Sequence, residues 1–282
     1  MNKNKIFNIL PDKLYLELKY YYYFHKRLDL KNPKTFNEKI NWLKLYDRKD
    51  IYTTMVDKYE VKKYVAKKIG DKYIIKTLGI FDNFNEIDFD KLPNKFVIKC
   101  THDSGGLVVC KDKKNLNVVE TRKKIERSLK NNYYYHAREW PYKNVKPRIL
   151  VEEYMEDSIF KELRDYKFFC FNGIPKLMFI ATDRSKHETK FNFYDMNFNL
   201  LPFKQHYPND SREILKPKCF SEMIDLSKKL STNIPFVRVD FYEVDGKVYF
   251  GELTFSHFSG MMPFEPEEWD MKIGNYLDIS KM

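Results

Sequence analysis

From Asp12 to about Asp50 the chain carries apolar side chains at the spacing of an α-helix, in two segments that Pro33 separates. Thr35 and Glu38 fit the two ends of a capping box, which predicts that the second helix begins there. Aromatic residues at helical positions usually pack in a core, so the Tyr20 to Phe24 run is interpreted that way rather than as a platform for stacking nucleic-acid bases. We therefore expect a helical N-terminal lobe built on Leu14, Leu18, Tyr21, Tyr22, Phe36, Ile40, Leu43 and Leu45.

After this lobe the pattern changes from helical to strand-like. An amphipathic helix is predicted over residues 56–68, with Gly70 at its end, and IIKTLGIFDNF is typical of a short strand followed by a loop. Beyond Pro93, FVIKC and LVVCKD flank the polar loop THDSGG and predict a hairpin. A charged helix is predicted from Val118 to Asn131, and its polar surface indicates that it covers one face of a small lobe.

Strands outnumber helices in the second half of the chain. RILVEEYM predicts a buried strand that runs into an acidic turn, and FNFYDMNFN predicts a further hairpin. The dipeptides Asn172-Gly173 and Asp245-Gly246 are strong hairpin signals, and each lies between two apolar runs. A helix is predicted from Phe220 to Leu230. Because the connections are mainly antiparallel hairpins, the predicted class is α+β rather than a doubly wound parallel sheet.

Composition narrows the class of protein. The chain has 282 residues, of which 43% are hydrophobic, and this is enough for a substantial core and for about two domains or lobes. Lysine and arginine (51) exceed aspartate and glutamate (40) by 11, a balance that attracts anions without saying which ones. Since the basic residues are spread over the whole chain, a solvated basic surface is favoured over a dedicated polyanion site, and no nucleic-acid partner is expected.

Two further features bear on the cellular setting. No apolar stretch approaches the roughly 18 residues of a membrane span, and the opening MNKNKIFNIL has no small-residue cleavage site after an apolar core, so a cytoplasmic protein is expected. The cysteines form no CxxC pair and lie mostly in apolar runs; they are Cys100, Cys110, Cys170 and Cys219. We interpret them as reduced core residues rather than as metal ligands or disulfide partners.

Asp240 and Glu252 are the first residues that indicate chemistry. They lie near facing positions of two strands joined by one hairpin turn, so both carboxylates can point toward a shared site. This pair is typical of a magnesium site, because Mg²⁺ takes one or two carboxylates and completes its shell with phosphate oxygens and water. The alternative is that the two acids pair with Arg238, Lys247 or other cations on an exposed sheet face.

Lys99 ends an otherwise apolar strand and precedes the loop that contains Gly105 and Gly106. Glycines let a loop approach a phosphate closely and present its backbone N–H groups. A lysine is costly to bury unless an anion meets it, although its ammonium group can also extend to water. The loop lacks the spacing of a P-loop, so by itself it does not establish nucleotide binding.

The strand that begins near Ile149 emerges into Glu152, Glu153 and Tyr154. Such an exit offers carboxylates and backbone groups that suit a purine amino group and ribose hydroxyls. The same pattern is also expected of any strand that leaves a sheet at the protein surface.

Five motifs follow one another along the chain, namely VDKYEVKKYV, FVIKCTHDSGG, ILVEEYM, DYKFF and RVDFYEVDGKVYFGELTF. In this order they resemble the successive nucleotide-binding motifs of the ATP-grasp superfamily, in particular those of its TupA-like branch, named for teichuronopeptide biosynthesis. The resemblance covers residues 35–265. It implies an α+β ATP-grasp fold, in which two α+β lobes clamp ATP after a helical N-terminal segment, with ATP and Mg²⁺ as cofactors.

The resemblance also implies which residues hold the nucleotide. Lys58 and Lys99 would contact the ATP phosphates, and Asp165 would bond the ribose. The loop that closes over the phosphates would consist of Ser104, Gly105 and Gly106. The hinge that holds adenine would consist of Glu152, Glu153, Tyr154 and Met155.

The catalytic and metal-binding roles follow from the same resemblance. Arg238 would face the γ-phosphate or an acyl phosphate and would act together with Lys99 in catalysis. Asp240, Glu252 and Thr254 would bind Mg²⁺. Thr254 stands where the superfamily pattern normally has asparagine, and its hydroxyl would ligate the metal or hold a water on it.

ATP-grasp enzymes generally phosphorylate a carboxylate and let an amine displace the phosphate, so the resemblance implies a carboxylate–amine ligase. Its TupA-like branch points to the assembly of capsular or other surface polysaccharides, with a uronic acid or nucleotide sugar as the acid. The predicted units are a helical lobe (1–74), a lid subdomain (75–150) and a C-terminal subdomain (151–282). A closing lid would keep water away from the acyl phosphate. The sequence does not fix the oligomeric state.

Three other functions stay open. A glycosyltransferase of polysaccharide biosynthesis would want a DxD metal motif, and DFD at Asp88–Asp90 matches the letters but lacks a preceding apolar strand. An ATP-grasp kinase would stop after phosphate transfer, and a non-catalytic nucleotide- or nucleic-acid-binding module has less need of paired carboxylates. His102 and His257 are candidate acid/base groups, although such histidines are more often structural.

Overall fold

The computed structural model describes residues 8–159, 163–183, 188–280 and 282. Residues 1–7, which belong to the opening that predicts no secretion signal, lie outside the described residues. The α-helices are α1 (Asp12–Phe24), α2 (Phe36–Tyr46), α3 (Ile51–Val56), α4 (Glu60–Ile69), α5 (Val118–Leu129), α6 (Tyr134–Ala137), α7 (Phe220–Ser231) and α8 (Glu268–Gly274). Short 3₁₀ helices are Asp71–Tyr73, Phe84–Glu86, Phe89–Lys91, Lys113–Asn115, Trp140–Tyr142 and His257–Gly260. None of the described helices is long and apolar enough to cross a membrane.

The strands are β1 (Thr77–Phe81), β2 (Phe96–Cys100), β3 (Leu107–Cys110), β4 (Ile149–Glu153), β5 (Asp165–Phe171), β6 (Ile174–Thr182), β7 (Lys190–Asp195), β8 (Lys204–Gln205), β9 (Phe236–Val244), β10 (Lys247–Thr254) and β11 (Phe264–Glu265). They form a four-stranded sheet in the order β1-β4-β2-β3, a five-stranded sheet in the order β10-β9-β5-β6-β7, and a two-stranded sheet of β11 and β8. The described strand pairs are all antiparallel, which confirms the α+β class and the predicted hairpins. The FNFYDMNFN segment forms β7, which folds back through a bridge between Tyr194 and Leu200.

The five-stranded sheet is covered on both faces. One face packs against α3, α4 and α7 through a core that includes Phe168, Val239 and Phe220. The other face packs against α2 and α8, with Phe169 and Phe36 in that core. Because both faces are buried, the strands carry near-continuous apolar runs, and the polar residues among them need a special reason to be there.

Helix α2 begins as the sequence predicts. The Thr35 side chain accepts a hydrogen bond from the Glu38 backbone N–H at 3.2 Å, and the Glu38 carboxylate accepts one from the Thr35 N–H at 3.0 Å. Together these contacts form the capping box. The helix lies against the His257–Gly260 turn and against α8, so it joins the N-terminal lobe to the five-stranded sheet.

The helix predicted over residues 56–68 begins later than predicted: α4 runs from Glu60 to Ile69, and a separate short helix, α3, ends at Val56. Asp57 causes the break: its carboxylate accepts hydrogen bonds from the backbone N–H groups of Tyr59 at 2.8 Å and Glu60 at 3.1 Å. An aspartate that satisfies these free N–H groups favours a helix start over a continuous helix. The interruption places Lys58 at the junction of the two helices.

The predicted packing of α1 is wrong. Leu14, Leu18, Tyr21 and Tyr22 are exposed, and the residues that the helix buries are Leu16 and Tyr20. Tyr20 stacks on Phe24 with ring centroids 4.3 Å apart, and it packs near Leu28 and Met261. Nearly every face of α1 is apolar, so the periodicity predicts a helix but not which of its sides is buried.

The four cysteines all lie within the described residues and are free thiols, three of them buried and Cys219 partly so. This agrees with their interpretation as reduced core residues. The division into units 1–74, 75–150 and 151–282 stays a prediction. We note that β4 continues the four-stranded sheet to Glu153, three residues past the predicted boundary.

Candidate active site

The hairpin of β9 and β10 places Asp240 directly opposite Glu252. The turn at Asp245-Gly246 has positive φ at both residues (50° and 72°), as a tight two-residue hairpin turn requires. The register shifts between Phe250 and Glu252, where Gly251 brings its backbone close to the backbone of Asp240. The two carboxylates therefore lie side by side on one face of the sheet.

Arg238 binds both acids from the same face. Its guanidinium donates to Asp240 Oδ1 and Oδ2, each at 2.7 Å, and to Glu252 Oε1 at 2.8 Å. It also donates to Thr254 Oγ1 at 3.0 Å. Pairing with Arg238 was the alternative to a metal site, and the structure shows this pairing, with Arg238 and Asp240 buried and the Glu252 side chain 42% exposed. The acids are thus brought together and charge-balanced in this structure.

The two carboxylates differ in their pKa. Burial would raise the pKa of Glu252, but Lys167, Arg238 and Lys58 lower it to about 2. For Asp240, burial outweighs the attraction of Arg238 and Lys167 and raises the pKa above its ordinary value. Glu252 is therefore firmly ionised, whereas Asp240 stays ionised only while its cations are in place.

Lys167 belongs to this cluster, although the sequence analysis assigned it no role. It lies opposite Asp240 in the pairing of β5 with β9, and its ammonium contacts the Asp240 carboxylate. It also lies 3.1 Å from Asp165 Oδ1, so Asp165 is part of the charged cluster. The signal that marked Lys99, a lysine inside an apolar strand, was present in DYKFF and could have identified Lys167.

His257 extends the cluster on the other side of Arg238. Its Nδ1 lies 2.9 Å from Arg238 Nη1, and its Nε2 lies 3.0 Å from Gln205 Oε1. Arginine can only donate, so Nδ1 accepts and Nε2 carries the proton. Burial, Arg238 and Lys167 lower the pKa of His257 well below its ordinary value, which keeps the imidazole neutral. The histidine therefore orients the guanidinium.

Two lysines share one carboxylate on the four-stranded sheet. Glu152 Oε2 lies 2.6 Å from Lys99 Nζ, and Glu152 Oε1 lies 2.5 Å from Lys62 Nζ. Lys62 comes from α4 and also donates to Thr77 Oγ1 at 2.9 Å. Burial would raise the pKa of Glu152, but Lys99 and Lys62 lower it below its usual value. Lys62 carries no signal in the sequence, because its contact with Glu152 depends on how α4 docks against the sheet.

Lys58 links the two sheets. Its ammonium contacts the backbone carbonyl of Asp103, and its backbone N–H donates to Thr101 O at 3.1 Å. Burial and the nearby Lys99 lower the pKa of Lys58, and the attraction of Glu252 opposes that shift. Lys58 is thus close to a cation of the four-stranded sheet and to an acid of the β9–β10 hairpin.

A cleft lies where these elements meet. Three lysines line it together with one carboxylate and the strand that precedes Glu252: Lys58, Lys62, Lys99, Glu152, Phe250 and Gly251, with Ile74 and Ile75 beside them. Residues far apart in the sequence therefore converge on one space, in which the three lysines meet Phe250 and Gly251 of the β9–β10 hairpin, next in sequence to Glu252.

The glycine-containing loop is held by Asp103. The Asp103 carboxylate accepts from the Gly106 N–H at 3.1 Å and from the Ser128 hydroxyl. A Cβ on Gly106 would lie 2.5 Å from Cys100 Sγ, so this glycine is needed for packing. Gly105 has open space around it, with Asp103 Oδ2 as its nearest contact at 3.6 Å. In this structure the Gly106 N–H is thus already hydrogen-bonded within the loop, to the Asp103 carboxylate.

The four residues predicted to hold adenine do not share one face. Glu152 points into the lysine pair, whereas Glu153 is exposed. The Tyr154 hydroxyl donates to Glu156 at 2.9 Å, Lys95 lies over its ring, and Met155 is half-buried. Adjacent strand residues point to opposite sides, which explains the separation of the two glutamates.

Two other candidates lie outside the cleft. His102 Nε2 lies 3.1 Å from the carbonyl oxygens of both Ser128 and Asn131, which is a structural arrangement. The DFD segment, Asp88–Asp90, forms a surface turn in which Asp88 caps a 3₁₀ helix. Its carboxylate accepts a hydrogen bond from the Asp90 N–H at 3.1 Å. Within the described residues, no group of three or more His, Cys, Asp and Glu side chains is arranged to hold a metal.

A family model described as TupA-like ATP-grasp matches residues 38–278 of the chain. No curated protein is similar enough in sequence to count as a match.

Among solved structures, the chain is similar to D-alanine–D-alanine ligase from Helicobacter pylori (TM-score 0.44, 16% identity, 88% of this chain and 70% of that one). It is also similar to D-alanine–D-alanine ligase from Bacillus anthracis complexed with ATP (0.43, 15%, 79% and 65%). A third similar structure is the ATP-grasp ligase PsnB complexed with a precursor variant, Mg and ADP (0.42, 10%, 86% and 62%). The chain thus spans 62% to 70% of the length of these proteins.

Proposed function

The chain belongs to the TupA-like ATP-grasp family, and from this premise we propose that it is an ATP-dependent carboxylate–amine ligase that works through an acyl phosphate. The observation that carries the proposal is the cleft in which three lysines meet the β9–β10 hairpin, with Glu252 close enough to Lys58 to act on its pKa. Phosphoryl transfer depends mainly on positioning and on charge stabilisation, and this arrangement supplies both.

ATP and Mg²⁺ fit the residues that are present. Asp240, Glu252 and Thr254 offer hard oxygen atoms within a single hydrogen-bonded group around Arg238. Two carboxylates are what Mg²⁺ normally takes from a protein that also binds nucleotide phosphates. When bound, the metal would neutralise charge on the phosphates. The lysines at positions 58, 62 and 99 would hold the phosphates from the opposite side of the cleft.

The chain's own residues would then position the reacting groups. Arg238 is held rigidly by His257 and by the two acids, so its guanidinium has one orientation toward the site. A fixed guanidinium stabilises developing negative charge without reorganisation during the reaction. The neutral His257 accepts a hydrogen bond from this cation without placing a second positive charge beside it. In this proposal Lys99 and Arg238 are the catalytic residues, and the loop at Ser104–Gly106 closes over the phosphates.

The substrates belong to the finer part of the proposal. We place the reaction in surface-polysaccharide or capsule assembly, with a uronic acid or nucleotide sugar as the carboxylate and a small amine as acceptor. The support is the family and the excess of basic over acidic residues, which suits an acidic sugar. A cytoplasmic location follows from the need for ATP.

The decisive experiment measures ADP release and product mass with Mg²⁺-ATP, a panel of uronic acids and a panel of amines. Asp240→Asn and Glu252→Gln should each lower ADP release by about a hundredfold. Asp240→Asn should also lower the melting temperature, because it leaves Arg238 and Lys167 without their buried counter-ion. Glu252 is the more exposed acid, so Glu252→Gln should melt close to the parent protein and separates loss of activity from loss of fold. Glu268→Gln, an exposed acid on α8, is the control and should retain full activity. Full activity in either hairpin variant would contradict the metal assignment. ADP with a phosphorylated product but no amide would instead identify a kinase.

A further inference from the structure

Helix α1 exposes a stripe of large apolar side chains. Its members recur at helical spacing, and they are Leu14 (43% exposed), Leu18 (53%), Tyr21 (58%) and Tyr22 (74%). Residues at this spacing lie on one face of a helix. Single exposed apolar side chains are ordinary on a protein surface, whereas a contiguous group of large ones marks an interaction surface. We call these four residues the α1 stripe.

The opposite face of α1 is anchored, so the stripe cannot turn inward. Leu16 and Tyr20 are buried and pack in a small core with Met261. At the start of the helix, the Arg48 guanidinium donates to the Asp12 carboxylate at 2.6 Å. A helix that is apolar all round is favoured where all of its sides are covered, and within the described residues the chain covers one side of α1. The outward side is thus left for a partner outside the chain.

A basic loop directly follows the exposed tyrosines of α1. Residues 26–34 contain one acid, Asp29, and four exposed basic residues, namely Lys26, Arg27, Lys31 and Lys34. Lys26 pairs with Glu267, and the other three form no salt bridge within the part of the chain that the structure describes. The Asp29 carboxylate is engaged by the loop itself, since it accepts a hydrogen bond from the Lys31 backbone N–H at 3.0 Å. This end of α1 therefore combines aromatic surface with a local excess of positive charge.

Two kinds of partner suit an apolar helical face, namely a second copy of this chain and the surface of a lipid bilayer. A stable dimer buries about 800 Å² on each partner. Helix α1 has 13 residues and is only about 20 Å long, so one stripe of four side chains falls short of that area. Tyrosine, with its apolar ring and polar tip, suits the boundary between membrane and water, and basic side chains attract anionic headgroups. The observations therefore favour the bilayer.

We propose that α1 is a membrane-binding surface, which lays the α1 stripe on a bilayer that contains anionic lipid while the basic loop binds the headgroups. The helix would lie in the interface rather than span the bilayer, in keeping with its length. Apolar and electrostatic contributions are both needed, because one short apolar surface alone gives weak and reversible binding. The inference goes beyond the proposed ligase function, since neither the stripe nor the loop lines the nucleotide cleft.

Co-sedimentation of the full chain with vesicles tests this surface. Vesicles of phosphatidylcholine mixed with phosphatidylglycerol supply the anionic bilayer, and phosphatidylcholine alone is the neutral comparison. The parent protein should bind the anionic vesicles, and added salt should weaken that binding. Leu18→Gln combined with Tyr22→Gln should lower the partition coefficient by about tenfold or more. Leu200→Gln combined with Leu215→Gln is the matched control, because these leucines are also exposed but lie outside α1, and it should bind as the parent does.

A second pair of changes tests the basic loop. In Arg27→Gln combined with Lys31→Gln, each lost charge should weaken binding to the anionic vesicles by about fivefold. Lys228→Gln combined with Lys229→Gln removes two exposed charges from α7 and should leave binding unchanged. Because the altered side chains are all exposed, every variant should keep the melting temperature and the Mg²⁺-ATP affinity of the parent.

The outcomes decide between the bilayer and a second copy. If the parent does not bind anionic vesicles, or if the Leu18/Tyr22 variant binds them as tightly, the proposal is wrong. Equal binding to anionic and neutral vesicles would overturn the role of the basic loop. A parent that sediments as a dimer without lipid, together with a monomeric Leu18/Tyr22 variant, would identify a dimer interface instead. If the Leu18/Tyr22 variant melts early, the Arg27/Lys31 variant carries the test. Loss of Mg²⁺-ATP binding by the parent would bear on the ligase function alone.

Discussion

The carboxylate of Glu152 offers a sharp test of how the cleft is held together. It is the only partner within salt-bridge distance for Lys99 among the described residues, and it also holds Lys62. Glu152→Gln removes the negative charge but keeps nearly the same volume and hydrogen-bonding atoms. Two ammonium groups would then remain close together without a counter-ion.

The cost follows from the burial of the three groups. Breaking a buried ion pair by removing one partner typically costs about 3–5 kcal/mol. The Lys99 side chain is 21% exposed and can turn toward water, whereas Lys62 is 12% exposed and is held by α4. We therefore expect a loss near the lower end, about 3 kcal/mol. For a chain of this size that is a fall of about 6–12 °C in melting temperature.

Thermal unfolding at neutral pH, followed by circular dichroism, measures this loss. Glu153→Gln is the matched control, because Glu153 is adjacent on the same strand but exposed, and its change should lie within about 0.5 kcal/mol of zero. Phosphate or ATP should restore part of the lost stability in Glu152→Gln, since an anion can replace the carboxylate. If Glu152→Gln and Glu153→Gln melted at the same temperature, the buried pair would contribute nothing and the reasoning would be refuted.

Two further predictions concern packing and pH. Gly106→Ala should destabilise the protein by about 1–3 kcal/mol in denaturant unfolding, because the new methyl group would lie 2.5 Å from Cys100 Sγ and Ser128 Oγ; equal stability of Gly106→Ala and the control Gly105→Ala would contradict this. Burial raises the pKa of Asp270 to about 6, so its contribution to stability is complete below the ordinary value of 3.8 and is lost as the pH rises through 6. Asp270→Asn should therefore flatten the fall in melting temperature over about pH 4 to 7, and an unchanged slope would be inconsistent with the buried carboxyl.

Much of the fold could be predicted because local signals are strong. The strand FVIKC is bounded by Pro93 and a polar loop, and the structure places it at Phe96–Cys100. The pairing of Asp240 with Glu252 follows from the Asp245-Gly246 turn, since turn type and strand length fix the register of a hairpin.

The contacts that could not be predicted from the sequence depend on how helices and strands dock against one another. Lys62 meets Glu152 only because α4 packs against the four-stranded sheet, and no local pattern encodes that contact. The buried side of α1 is decided by what its neighbours offer, because leucine and tyrosine occur all round the helix. Lys167 is different, since its unusual position in an apolar strand was visible in the sequence.

The hydrogen bonds of Asp103 limit how the glycine-containing loop can move. Its side chain ties the Gly106 N–H and the Ser128 hydroxyl, while its carbonyl receives the Lys58 ammonium. The same lysine cannot leave for an incoming anion without releasing that carbonyl. Entry of the anion and release of the Asp103 carbonyl are thereby a single exchange of partners, so amide hydrogen exchange at Ser104 and Gly105 reports whether the anion is bound.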